Sequence, residues 1–96
     1  MKYLIIDGQL HGTGIRDYYE GGYIELQTLG LEDNMIKRIS EWLLKYEEEH
    51  YNSFENLNNI SILDNEGVEI AVELKRKLHN IKIDYYSAAT MTKVII

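Results

Sequence analysis

Cysteine is absent from this 96-residue chain, so it can build neither a disulfide framework nor a thiolate metal site. Also missing is any apolar run near the ~20 residues that cross a bilayer. The opening MKYLIIDGQL carries one lysine and a short apolar patch that stops at Asp7, which is too little for a signal peptide. Positive charge is scarce: ten Lys and Arg stand against sixteen Asp and Glu, leaving a net charge of −6. A surface of that sign repels phosphate backbones, which argues against direct nucleic-acid binding and suits a basic partner. The same charge also serves simply to keep a small protein in solution. The length fits one domain over residues 1–96 with a single modest core. A cytoplasmic setting without membrane contact is the expectation.

Catalytic spacing is equally scarce. The stretch IIDGQLHGTGIRDYYEGGY (Ile5–Tyr23) concentrates two aspartates, a histidine and five glycines, yet it matches no phosphate-binding motif. A P-loop needs Gly-Lys-Ser/Thr at the start of a helix, and none follows Gly8, Gly12 or Gly14. The dinucleotide fingerprint would need a third glycine where Asp17 stands. A general-base reading would use His11, oriented by Asp7 or Asp17, with Arg16 as an anion clamp. No serine or cysteine accompanies His11 as a nucleophile, and a glycine-rich loop fixes no geometry in advance. His11, His50 and His79 lie on separate elements without HxxxH or HExxH spacing, so no metal and no cofactor are expected.

What is present is a clear periodic pattern. KYLII reads as a strand buried on both faces, and YIELQTL (Tyr23–Leu29) alternates as a second short strand. Leu31, Met35, Ile39, Trp42, Leu43, Tyr46 and His50 draw one stripe down a helix at residues 31–51. The pairs Asp33/Lys37 and Glu41/Lys45 have the favourable i,i+4 order. NSFENLNNIS reads as a loop. Asp64 is the expected N-cap of a second helix ending at Asn80, with an inner stripe of Val68, Ala71, Leu74, the Lys75 stem and Leu78, Ile70 beside it. Gly67 within it predicts close approach of another element. IKIDYY is a strand with Ile81, Ile83 and Tyr85 on one face, and KVII a last one. The predicted class is α/β: a two-layer sandwich in which a small mixed sheet of three to four strands packs on two helices. The helical crossover allows the first strand and IKIDYY to be parallel neighbours.

Two stretches mix acids with aromatic side chains. KYEEEHYNSFE offers Glu47, Glu48, Glu49 and Tyr51, and RDYYEGGY offers Asp17, Tyr19 and Glu20. Carboxylates steer encounter with a basic partner, while amphipathic tyrosines supply anchors. Three acids at a helix C-terminus also oppose the helix dipole, which suggests another use for them. The plainer alternative is a solvated helix end.

The segments TGIRDYYEGGYI, LGLEDNMIKRISEWLLKYEEEHY, LDNEGVEIAVELKRKL and IKIDYYSAATM cover most of the chain. In them the sequence resembles small acidic bacterial immunity proteins of contact-dependent and polymorphic toxin systems. The resemblance implies a soluble, non-enzymatic protein that binds and neutralises one cognate toxin, often a nuclease. It carries no functional residue over, because such interfaces differ from pair to pair. A small hydrolase or transferase using the His11 loop, and a structural or adaptor protein, remain the alternatives.

Overall fold

The computed structural model describes residues 1–96. Strand β1 (Lys2–Asp7) leads into β2 (Ile15–Asp17), a 3-10 turn (Leu26–Leu29), helix α1 (Asp33–Tyr51), helix α2 (Leu57–Lys77), β3 (Ile81–Tyr86) and β4 (Lys93–Ile95). The sheet order is β2-β1-β3-β4, with β1 and β3 parallel and both outer pairs antiparallel. Together these make the α/β two-layer sandwich. Residues alternate between the faces of a strand. Leu4, Ile6, Ile15, Ile83 and Tyr85 therefore enter the core with Met35, Ile39, Trp42 and Tyr46 of α1 and Ile70, Ala71 and Leu74 of α2. No helix is long and apolar enough to cross a membrane.

Gly67 shows why the helix layer lies so close to the sheet. A Cβ there would sit against the Tyr85 ring, 2.6 Å from Cζ. Gly8 does the same for α1, where an added Cβ would meet Tyr46 Cγ at 2.5 Å. Trp42 is fully enclosed; its indole N–H donates to the Leu63 carbonyl at 2.8 Å and ties α1 to α2. Leu43, on the flank of the stripe, is only half-buried.

Four expectations are corrected. Tyr23–Leu29 is not a strand: Tyr23 makes one isolated bridge to Arg16, and Leu26–Leu29 coils into the 3-10 turn. The second strand is Ile15–Asp17, because Gly14 at φ 98° turns the chain back so that its carbonyl accepts from Asp7 N at 3.1 Å. Helix α2 starts seven residues before Asp64, capped by Asn56, whose side chain accepts from Asn59 N at 3.0 Å. The buried row Ile60, Leu63, Gly67, Ile70, Ala71 and Leu74 shows that the helical period runs through the Asn-rich stretch, while Lys75 is exposed. Finally, the i,i+4 pair that forms on α1 is Lys37–Glu41 at 3.9 Å, on the exposed face where such pairs contribute little.

Candidate functional site

Helices α1 and α2 form an antiparallel hairpin closed by Asn52–Asn56, and one carboxylate fixes it to the sheet. Asp64, inside α2, accepts from Tyr46 of α1 at 2.8 Å, Tyr85 of β3 at 2.6 Å and Ser87 just beyond β3 at 2.8 Å. Burial first, and then the nearby Asp64 carboxylate, push the Tyr46 phenol up to about 12 and raise that of Tyr85 further. Both phenols stay protonated and donate. The Asp64 cluster thus sets the position of the hairpin's acidic end.

Charge is sorted along that hairpin. Where α1 begins and α2 ends, cations meet acids: Lys77–Glu32 at 3.6 Å, Arg38–Glu69 at 3.1 Å and Arg76–Glu73 at 2.7 Å. At the turn end, Glu47, Glu48, Glu49 and Glu55 have no cationic partner. The cause is legible in the chain: residues 46–74 contain eight acids and neither Lys nor Arg.

The helix distributes Glu47, Glu48 and Glu49 over two clefts. Glu47 borders a groove of about 360 Å³ floored by Leu26, Ile36, Leu43 and Leu44, with Glu25 on its rim. Glu48 and Glu49 line a cleft of about 200 Å³ between α1 and α2, with Lys45, Asn59, Ile62 and Leu63. Glu49 is buried at the next step of the Met35, Ile39, Trp42 and Tyr46 spacing, although its charge suggests an exposed residue, and its Oε1 has no hydrogen-bond partner. Tyr51, the last residue of α1, is 72% exposed. His50 holds the helix end to the sheet, its Nε2 lying 2.7 Å from the Gly8 carbonyl.

The second expected patch lies elsewhere. Asp17 caps its own turn, accepting from the backbone N–H of Tyr19 at 2.8 Å and of Glu20 at 3.3 Å, so its carboxylate serves locally. Tyr19 and Glu20 are exposed. Tyr19 belongs to a cluster the sequence did not reveal: Tyr3 and Tyr18 stack at 4.1 Å, and Tyr19 meets both edge-on. Only the β1–β2 pairing brings Tyr3 beside Tyr18, so no spacing in the sequence signals it. Tyr3 donates to Asp84 at 2.7 Å, and that bond, more than burial, moves its phenol up to about 12. This cluster sits at the start of β1 and the acidic turn at its end, roughly 16 Å apart at ~3.3 Å per residue. The two patches are not one surface.

The histidine loop does not assemble. His11 is exposed at φ 66° and makes no hydrogen bond to Asp7 or Asp17. Asp7 is fully buried, accepts from the Tyr23 phenol at 2.7 Å, and has Arg16 as an ion-pair partner at 3.1 Å. Burial outweighs those two contacts and raises the Asp7 carboxyl above its ordinary value. The residues offered as orienter and clamp for His11 are engaged with each other. No group of three or more His, Asp and Glu is placed to hold a metal ion. In comparisons with known proteins no family model matches the chain, and neither the curated proteins nor the solved structures give a significant match, so functional inference rests on this geometry.

Proposed function

We propose that this protein is an immunity protein of the cytoplasm, which binds and neutralises a cognate bacterial toxin with a basic active cleft, such as a nuclease. The observation that carries this reading is the sorted charge of the helical hairpin. Four carboxylates at one end lack cationic partners, while the other end neutralises its acids internally. Enzymes that act on polyanions present basic clefts, and an acidic surface on a rigid hairpin is complementary to one. The apolar groove beside Glu47 and the exposed Tyr51 ring supply anchoring area next to the steering charge. On this reading the protein needs no cofactor and performs no turnover of its own.

The test is neutralisation. Reading frames flanking the gene are expressed one at a time in a bacterial host, and growth is followed with and without this protein. Rescue from one toxic product, with a stoichiometric complex on size-exclusion chromatography, supports the reading. A His11→Ala variant should rescue equally well. Toxicity that no flanking product shows, or that this protein never relieves, overturns it. Rescue that is lost with His11→Ala while the complex still forms would move the assignment to an enzyme.

A further inference from the structure

We infer that the cleft between α1 and α2 at Glu49 is a receptor for a guanidinium group, filled by one arginine side chain of the basic partner. This deepens the inhibitor reading and rests on its premise of a basic partner.

The inference starts from a carboxylate that the fold encloses without a companion. Glu49 is 5% exposed, and its Oε1 is shielded from solvent with no hydrogen bond. No Lys, Arg or His stands within ion-pair distance of it. Enclosing such an oxygen is unfavourable unless a donor arrives to meet it. Both helix-end clefts are lined by glutamates, but only in this one is a lining glutamate buried. Its volume, about 200 Å³, accommodates a side-chain head group but no small domain or cofactor.

The lining selects the kind of cation. Glu48 adds a second carboxylate, Asn59 an amide, and Ile62 and Leu63 an apolar wall. A planar guanidinium can place two N–H groups on a carboxylate and lay its face or stem along the aliphatic wall. A lysine ammonium is more strongly hydrated and has only a point charge to offer, so it fits less well. Lys45 lines the same cleft without forming an ion pair, so its charge repels an incoming arginine.

The experiment uses the full chain and two blocked peptides, tri-arginine and tri-lysine. Methyl signals of Ile62 and Leu63 and the Glu49 side-chain carboxyl carbon are followed by NMR during each titration. The tri-arginine peptide should shift all three saturably, and tri-lysine should bind about ten-fold more weakly. Glu49→Gln, nearly isosteric, should weaken tri-arginine by about ten-fold or more with the remaining spectrum unchanged. Glu41→Gln, about two turns away on the same helix and exposed, should leave it unaltered. Lys45→Gln should tighten binding by removing a like charge from the rim. Shifts spread evenly over every surface acid, equal affinity for the two peptides, or no effect of Glu49→Gln would each overturn the inference. Because no toxin enters this titration, a negative result leaves the inhibitor reading to the growth assay, and a failed growth assay leaves the cleft to this one.

Discussion

Replacing Asp64 with alanine removes the acceptor shared by Tyr46 of α1, Tyr85 of β3 and Ser87 just beyond that strand. Leaving a buried hydroxyl without an acceptor costs about 1–3 kcal/mol. The three losses do not simply add. Tyr46 Oη and Ser87 Oγ already lie 3.2 Å apart and can bond each other, so Tyr85 bears the full loss. A cleft of about 150 Å³ beside Asp64, Tyr85 and Ser87 also admits water to part of the site. The expected cost is therefore about 2–4 kcal/mol, a large share of the ~5–15 kcal/mol available to a domain. At about 4–8 °C per kcal/mol, Tm should fall by roughly 8–32 °C. Asp64→Asn keeps one oxygen acceptor and should cost about 1 kcal/mol. Urea unfolding followed by the single, enclosed Trp42 reads both variants, with the m-value unchanged. The phenols add a second readout. A raised phenol pKa stabilises the fold fully below the unfolded value near 10 and loses that contribution as pH rises through the folded value, about 12 for Tyr46. Asp64→Ala removes one cause of that rise, so alkaline ionisation of native Tyr46 should begin at lower pH. An alanine variant within about 0.5 kcal/mol of the parent, or an asparagine variant as damaged as alanine, would refute the role given to Asp64.

Gly67→Ala should destabilise by about 1–3 kcal/mol although alanine favours helix, because the added methyl must displace the Tyr85 ring; a stabilised variant in the same urea assay would contradict the close approach. Asp7 gives a pH signature. Its folded pKa lies above the ordinary value, so ionisation opposes folding, and Asp7 should favour the fold more as pH falls from neutral toward about 4. Asp7→Asn should remove that slope, and unfolding midpoints that depend on pH identically in parent and variant would show that burial does not dominate there.

The fold was largely legible because period dominates it. Met35, Ile39, Trp42 and Tyr46 recur at spacings of three and four, and Ile81, Ile83 and Tyr85 alternate, so α1 and β3 followed directly. Gly67, read from its place in a helix, was correctly tied to close packing. The misreadings have local causes. Asn56 caps α2 in a stretch whose asparagines suggest a loop, and the strong capping type of Asp64 hid its role as a tertiary acceptor. Tyr23 and Ile24 alternate like a strand, yet only Tyr23 bridges to Arg16 before the 3-10 turn begins. The site was less legible, because each part depends on long-range placement. The acidic composition of the α1 end is plain in the chain, whereas the enclosure of Glu49 follows from α2 packing across it. The local use of Asp17 and the Tyr3–Tyr18 stack likewise arise only when β1 and β2 pair.

Reversing charge at the exposed members of the acidic turn tests the proposed interface most directly. Glu48→Lys and Glu55→Lys together spare the enclosed Glu49, where a lysine would threaten the fold, and so isolate steering from stability. Once the growth assay has supplied a toxin domain, its association with parent and double variant is followed by stopped flow at low and high salt. The parent should associate fast and slow steeply with salt. The double variant should associate at least about ten-fold more slowly at low salt, with a flattened salt dependence. Equal association rates and equal salt slopes for the two proteins would contradict a toxin-binding role for the acidic end of the hairpin.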